Sequence, residues 1–210
     1  MPYQEHALIS KVLGALLYFH PSEYAAHGID QILTFTLPNQ ENSPLLVTFS
    51  QLVEQFRTTN SASLSETHDE FFSGIADMPV PPWGSVYLDR ECVLFGESTS
   101  EYKQFLTQHG FEFETQKNDP LDHIGLMMMT LGEILASQED ETPSDELTEL
   151  LGTHMLPWTQ HYCAQIQPLL KDTAYASAMA LTQSLLVQLT SSLAIQIKPR
   201  QIYFNVNISQ

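Results

Sequence analysis

The sequence predicts an all-α protein, a single-domain helical bundle with one long, ordered loop built around prolines and a tryptophan. Nearly every hydrophobic pattern along the 210 residues has the helical spacing i, i+3, i+4. The 43% of hydrophobic residues suffices for a packed core, and 9 glycines and 12 prolines are too few for a disordered chain. We expect one all-helical domain over residues 1–200 and an extended tail over residues 201–210.

Three helices are predicted in the first third of the chain. Apolar residues from Leu8 to Phe19 recur at helical spacing, and this helix should end near Pro21. Two further helical patterns cover residues 44–57 and 63–72. All three helices should turn an apolar face toward the core.

The helical period is lost over residues 73–98. The run 78–84, Met-Pro-Val-Pro-Pro-Trp-Gly, cannot continue a helix, because each proline removes an amide donor and restricts the residue before it. Loops of this length inside a compact domain are usually functional when they are ordered, and the aromatic side chains Trp83 and Tyr87 favour order.

Helical spacing returns after the loop. Residues 98–110 predict a helix stopped by a glycine, and Asp119 followed by Pro120 predicts the N-cap and first residue of the next helix. Gly125 and Gly132 are seven residues apart in that helix, so both should flank its apolar stripe and allow a neighbouring helix to approach closely.

The C-terminal part predicts three more helices and an extended end. Thr142-Pro143 should open a helix that Pro157 interrupts, and residues 158–169 and 175–193 carry the next two apolar faces. Residues 195–208 alternate between apolar and polar, which predicts an edge strand or an extended tail.

Neither a signal peptide nor a membrane span is expected. No basic region precedes the first apolar stretch, so we expect the protein to stay in the cytoplasm. Residues 173–197 lack Asp, Glu, Lys and Arg, but ten of them are Ser, Thr or Gln. A bilayer core requires about 20 predominantly apolar residues, so this segment should be a central helix buried in protein on most sides.

The charge balance narrows the choice of partners. Eight Lys and Arg stand against 25 Asp and Glu, a formal net charge of −17. Binding to nucleic acid requires clustered cations, so nucleic acid is excluded, whereas a basic partner would be attracted. Cys92 and Cys163 lie too far apart in sequence for a zinc site or a disulfide framework and should be reduced thiols.

No catalytic signature stands out, and we expect no enzyme activity, metal or cofactor. Asp122 and His123 could pair an acid with a base, but side chains of adjacent helical residues diverge. Asp122 could instead stand at the third helical position, where its negative charge would stabilise the helix through the helix dipole. The sequence leaves this capping role and a ligand contact both open. His154 and His161 lack a third metal ligand and should be structural. Met127–Met129 should belong to the core.

Several segments together resemble one family. Residues 81–89 read Pro-Pro-Trp-Gly-Ser-Val-Tyr-Leu-Asp, and residues 118–125 read Asn-Asp-Pro-Leu-Asp-His-Ile-Gly. With the neighbouring segments, they resemble the TorD/DmsD/NarJ family of redox-enzyme maturation chaperones, and the DmsD branch most of all. The neighbouring segments are residues 12–18, 71–74, 90–99 and 154–158.

The resemblance implies an all-helical cytoplasmic protein of the TorD/DmsD type. Such a protein binds the twin-arginine leader of a molybdenum reductase catalytic subunit, here a dimethyl sulfoxide reductase, and delays Tat export until the molybdopterin cofactor is inserted. The resemblance is also compatible with the Tat translocase as a further partner. By carry-over, the leader-binding surface comprises Phe71, Phe72, Pro81, Pro82, Trp83, Pro120, Asp122 and His123.

The charge distribution agrees with such a ligand. A twin-arginine leader is basic and then apolar, so its receptor should offer acids beside an apolar groove. Residues 66–122 hold twelve acids against three Lys and Arg. The sequence departs from the family at Ile75, where proline is usual, and at His68 and Ala76, where the DmsD branch can carry tryptophan.

Two alternatives remain open at the level of sequence. One is a scaffold for assembly of a respiratory reductase, which would bind the mature subunit and not its leader. The other is a nucleotide-binding or hydrolysing protein that uses Asp122, His123 and His154.

Overall fold

A computed structural model describes residues 3–34, 43–75, 78–113, 119–139 and 142–205. Ala76, Asp77, Glu114 and the tail from residue 206 onward lie outside these residues. Regular structure in the described part is helical, which confirms the predicted fold class. The helices are α1 Gln4–Tyr18, α2 Ile29–Thr34, α3 Pro44–Thr58, α4 Ser61–Phe71, α5 Gly84–Leu88, α6 Glu97–Gln108, α7 Ile124–Ser137, α8 Asp145–Glu149, α9 Leu156–Ile166 and α10 Ala174–Ser192.

Helices α1 and α7 form the most closely packed pair of the bundle. A Cβ atom at Gly125 would lie 2.8 Å from the carbonyl oxygen of Gly14, and one at Gly14 would lie 2.5 Å from the carbonyl oxygen of Gly125. A Cβ atom at Gly132 would lie 2.9 Å from the carbonyl oxygen of Ala7. The backbones therefore approach as closely as the spacing of Gly125 and Gly132 predicted.

Helix α10 packs against α1, α3 and α9. Its buried face includes Tyr175, Met179 and Leu186, but Val187 on the other face is 47% exposed. The expectation of a helix buried on most sides is therefore wrong for this outer face, where small and polar residues meet solvent. Within the described ranges, none of the helices is long and apolar enough to cross a membrane.

The predicted interruption at Pro157 is confirmed. A π-helical segment, Leu150–Met155, precedes α9, and Pro157 lies in the first turn of α9, where its missing amide costs no hydrogen bond. The start predicted at Thr142-Pro143 is two residues early. Ser144 is the N-cap of α8, since its hydroxyl accepts a hydrogen bond from the amide of Leu147 at 3.2 Å.

Two predictions around the long loop are wrong. The loop contains the short helix α5. Helix α7 begins at Ile124 with His123 as its N-cap, and not at Asp119-Pro120. The reason is tertiary, because His123 pairs with Trp83 in the loop and its backbone is extended there, so the helix begins only at Ile124. Asp119 instead accepts a hydrogen bond from the Tyr18 hydroxyl at 3.1 Å.

Residues 195–205, which we call the C-terminal strap, contain no helix. The extended conformation that the alternating pattern indicates stays a prediction. The strap pairs with no strand in the described part of the chain and crosses the π-helical segment and α5. The amide of Lys198 donates to the carbonyl of Gly152, and the amide of Tyr203 donates to the carbonyl of Tyr87, both at 2.9 Å.

Candidate functional site

The two segments that carry the family resemblance are joined by their backbones. Trp83 and His123 form an antiparallel bridge. The amide of Gly84 donates to the carbonyl of Asp122 at 3.1 Å, and the amide of Ile124 donates to the carbonyl of Pro82 at 2.8 Å. The structure thus brings residues 81–84 and 122–124 together, and we call this contact the Trp83 junction.

Asp122 caps helix α5 from outside that helix. Trp83, the N-cap of α5, provides no side-chain hydrogen bond. The Asp122 carboxylate instead accepts hydrogen bonds from the Ser85 amide at 2.6 Å and from the Thr99 hydroxyl at 3.0 Å. Asp122 is 2% exposed, and this burial raises its pKa while the hydrogen bonds from Ser85 and Thr99 oppose the rise. The predicted place at the third position of its own helix is wrong.

Asp89 caps helix α6 in the same way, although no sequence pattern singled it out. The N-cap of α6, Gly96, has no side chain, and the Asp89 carboxylate accepts hydrogen bonds from the Ser98 amide at 3.2 Å and the Ser98 hydroxyl at 2.8 Å. A Cβ atom at Gly96 would lie 1.9 Å from Asp89 Oδ2. Two buried aspartates therefore accept hydrogen bonds from first-turn amides of two helices whose own N-cap residues provide no side-chain acceptor.

His123 uses both ring nitrogens within the fold. Its Nδ1 accepts a hydrogen bond from the Gly125 amide at 3.0 Å, so Nε2 carries the proton and donates to the carbonyl of Phe72 at 3.2 Å. Burial lowers the pKa of His123 to about 4. The imidazole is neutral at neutral pH, and its ring nitrogens are engaged as a helix cap and a link to α4.

Trp83 lies inside the junction with an unused donor. The indole is 6% exposed and meets the His123 ring edge-on, with centroids 5.2 Å apart. Gly74, whose φ is 69°, covers it so closely that a Cβ atom there would lie 3.0 Å from Trp83 Cη2. Within the described residues, Trp83 Nε1 is buried and has no hydrogen-bond partner. Buried polar groups normally find one, so this N–H is available to a ligand that reaches it.

All eight residues predicted to bind a leader surround this junction, but they face inward. Seven of them are buried, and only Pro81 is half-buried. The Phe72 ring, for instance, packs against the Tyr175 ring with centroids 5.2 Å apart. These residues therefore shape the site from within, and a ligand would meet their edges first. The seven buried residues are Phe71, Phe72, Pro82, Trp83, Pro120, Asp122 and His123.

The rim of the junction is apolar and acidic. Ile75, next to Gly74, is 71% exposed. Asp69 lies 3.6 Å from His20, measured from Oδ1 to Nε2, and its side chain is 47% exposed. Asp119, three residues before Asp122, is half-buried. An incoming peptide would therefore meet carboxylates and an exposed aliphatic side chain before it reached Trp83.

His68 is a second buried histidine, close to the rim residue Asp69. His68, at one of the positions that depart from the family, is 1% exposed, and its ring centroid is 5.5 Å from that of His20. Burial, together with the neighbouring His123 and His20, lowers the pKa of His68 to about 3. Both buried histidines are thus neutral, and they add no positive charge that would repel a cationic ligand.

The residues of the nucleotide alternative do not form a site of the necessary size. Asp122 and His154 line one cavity, but its volume is about 10 Å³, and His123 is not among its lining residues. Such a volume holds about one water molecule. Across the described ranges, no three His, Cys, Asp or Glu side chains come close enough to hold a metal ion.

Known proteins match this chain over most of its length. The family model described as nitrate reductase delta subunit matches residues 39–164. The chain is 33% identical over 204 residues to the probable Tat proofreading chaperone DmsD of Haemophilus influenzae, covering 95% of this chain and 97% of that protein. The Tat proofreading chaperone DmsD of Salmonella typhimurium is 33% identical over 159 residues, 75% of this chain and 76% of its own.

A more distant relative is the chaperone protein TorD of Aliivibrio fischeri, 22% identical over 148 residues, 65% of this chain and 69% of that protein. The chain thus falls in a class of proteins whose relatives are named chaperones. The chain belongs to the nitrate reductase delta subunit family, that of the TorD, NarJ and DmsD proteins. The resemblance found in residues 81–89 and 118–125 is confirmed.

Proposed function

We propose that this protein is a cytoplasmic chaperone that binds the twin-arginine leader of a molybdenum reductase catalytic subunit, a dimethyl sulfoxide reductase in particular. It would delay export by the Tat translocase until the cofactor is inserted and the subunit has folded. The names of its relatives support the chaperone role. The protein itself would bind and release, with no bond made or broken.

The observation that carries this proposal is the Trp83 junction. A leader bound in an extended conformation presents free backbone carbonyls, and the buried indole N–H of Trp83 has no other acceptor within the described residues. The neighbouring Ile75 offers apolar contact, while Asp69 and Asp119 offer negative charge to the arginines. The net charge of −17 would accelerate the encounter with a basic segment.

Four of the eight residues predicted to contact the leader are proposed to act in two ways. Pro81 would touch the leader directly because it is half-buried at the rim. Trp83 would offer its indole once Gly74 moves aside. Asp122 and His123 would hold the two family segments in register, since their polar atoms are already bonded within the fold.

Calorimetric titration with a synthetic twin-arginine leader tests the proposal. A second leader with both arginines replaced by alanine is the matched ligand control. We expect binding of the first leader and a loss of tenfold or more with the second, since two charge-assisted contacts would be missing. Equal affinities for the two leaders, or binding of neither, would refute the proposal.

One surface favours the scaffold alternative as a second candidate. Val93, Leu94 and Phe95 are consecutive and are 51%, 41% and 53% exposed. Three neighbouring apolar side chains in solvent suit contact with a folded protein surface. A pull-down with the leaderless catalytic subunit tests this candidate. Retention of that subunit by the wild-type chain, and its loss when Phe95 is replaced by serine, would support it.

A further inference from the structure

The C-terminal strap, which follows α10, lies in a groove and is hydrogen-bonded to the bundle. Its side chains alternate, so that Arg200, Ile202 and Phe204 turn inward and are half-buried, while Gln201 and Tyr203 are exposed. The strap passes so close to the π-helical segment that a Cβ atom on Gly152 would lie 2.5 Å from the carbonyl oxygen of Gln196.

Each inward side chain or carbonyl finds a matching partner. Arg200 forms an ion pair with Glu101 at 2.5 Å, with the arginine side chain 18% exposed. The Phe204 ring meets the Tyr87 ring edge-on, with centroids 5.4 Å apart. His161 Nε2 lies 3.1 Å from the carbonyl oxygen of Phe204. The groove therefore recognises a cation, a peptide backbone and an aromatic side chain in that order.

The strap resembles a twin-arginine leader in its order of residue types, with cations first and apolar residues after them. Residues 198–204 read Lys-Pro-Arg-Gln-Ile-Tyr-Phe, two cations followed by an apolar run. They hold two of the eight Lys and Arg in a chain with a net charge of −17. A cleft of about 370 Å³ adjoins Arg200 and is lined by Glu91 and Glu97 among others. Arg90 also lines this cleft and offsets part of the negative charge of Glu91 and Glu97, but the volume leaves room for a further guanidinium beside Arg200.

We propose that this groove is a binding site for an extended peptide that is cationic and then apolar, that the strap occupies it as an internal substitute, and that the twin-arginine leader takes the strap's place. The inference rests on the proposed function and adds a second contact surface to it. The strap touches Tyr87 on α5, the five-residue helix that begins at the Trp83 junction. Tyr87 lies four residues after Trp83, about 6 Å along α5 at about 1.5 Å per residue. Two residues of an extended peptide, at about 3.3 Å each, cover that distance, so one leader can reach both.

Displacement has a measurable consequence. A ligand that binds only the chains with a released strap shows an apparent affinity reduced by the released fraction. Weakening the strap should therefore tighten leader binding. Weakening the groove should not, because the leader would lose the same partner as the strap.

The experiment compares three variants of the full chain by calorimetric titration with the synthetic leader. In Arg200→Ala the strap loses its ion pair, and leader binding should tighten roughly three- to tenfold. In Glu101→Gln the groove loses its carboxylate, and leader binding should be unchanged or weaker. Lys171→Ala removes a cation that is exposed and lies outside the strap, and leader binding should equal that of the wild type.

Hydrogen exchange provides an independent readout on the wild-type chain. The amides of Lys198 and Tyr203, both bonded across the groove, should exchange faster when the leader saturates the protein. A strap with a purely structural role would stay protected.

The outcomes separate the two proposals. If the leader binds but Arg200→Ala and Glu101→Gln shift its affinity alike, or if Tyr203 stays protected in the complex, this inference is overturned and the proposed function stands. If the leader binds neither the wild type nor Arg200→Ala, both are overturned. Binding by Arg200→Ala where the wild type shows none would support the inference most strongly.

Discussion

Replacement of Asp122 by alanine tests whether this carboxylate holds the fold or binds a ligand. The change leaves two buried donors without an acceptor, the Ser85 amide and the Thr99 hydroxyl. Each unpaired buried donor costs about 1–3 kcal/mol, so we expect a loss of about 4 kcal/mol in the free energy of unfolding. For a chain of this length, 1 kcal/mol shifts the melting temperature by about 2–4 °C. Asp122→Ala should therefore melt about 8–16 °C lower.

Asp122→Asn is the sharper variant. The amide keeps the shape of the side chain, since its oxygen can accept from Ser85 and its nitrogen can donate to the Thr99 oxygen. We expect the melting temperature to fall by no more than about 3 °C. Glu66→Ala, which removes an exposed carboxylate from α4, is the control for charge and should change little.

Thermal unfolding by circular dichroism, followed by leader titration at about 25 °C, distinguishes the two roles. The structure predicts that Asp122→Asn binds the leader within twofold of the wild type. If Asp122→Asn kept its melting temperature but lost most of its leader affinity, the carboxylate would contact the leader directly, and its role as the cap of α5 would be wrong.

Three further predictions concern the same bundle. The folded state keeps His68 and His123 neutral, with pKa values lowered from 6.5 to about 3 and about 4, so their contribution to stability is full above pH 6.5 and is lost as the pH falls toward those values. Urea unfolding should show about 3–5 kcal/mol lost between pH 7 and 4.5, and His68→Phe should remove about half of that loss; an unchanged pH slope would contradict this. Gly125→Ala should cost about 2–4 kcal/mol, because its Cβ would press on the backbone of Gly14 and Tyr18, and an unchanged melting temperature would refute the close approach. Trp83→Phe keeps a ring but removes the unpaired N–H, so stability should change by less than about 1.5 kcal/mol while leader affinity falls two- to tenfold in calorimetry; equal affinity would exclude a hydrogen bond from the indole.

Local patterns predicted the helices that have enough residues to show a period. The close contact between α1 and α7 could be predicted from the sequence. It follows from the apolar stripe after residue 124 and from the seven-residue spacing of Gly125 and Gly132. Helix α5 could not be found this way, because its five residues span little more than one turn. A pattern of that length does not distinguish a helix from a loop.

The start of α7 shows how tertiary structure overrides a local signal. Asp119 followed by Pro120 has the chemistry of a helix start. The bridge between Trp83 and His123 nevertheless keeps the backbone of His123 extended, and His123 becomes the N-cap of α7. A bridge between segments about forty residues apart leaves no trace in either segment alone, so neither the cap nor the partners of Asp122 could be predicted.

The burial of the predicted site has a similar cause. Aromatic residues and prolines in a long loop indicated an ordered surface, and the order is real, but it comes from the Trp83 side chain entering the core. The sequence carries one signal that could have warned of this. Gly74 is the second residue of the loop, and its positive φ lets it approach the indole, a conformation that a side chain at this position would strain.

The acidic residues of this chain perform two different tasks that a count of charges cannot separate. Asp89 and Asp122 are buried and satisfy helix amides, so they attract no partner from solution. Glu91 and Glu97 are exposed beside the strap, and Glu101 already holds a cation there. In addition to the rim carboxylates Asp69 and Asp119, the exposed carboxylates Glu91 and Glu97 near α6 are thus a second group that can meet a basic leader. Asp89 fixes the first turn of α6. A buried acid that cannot contact the leader therefore holds in place the exposed acids that can bind it.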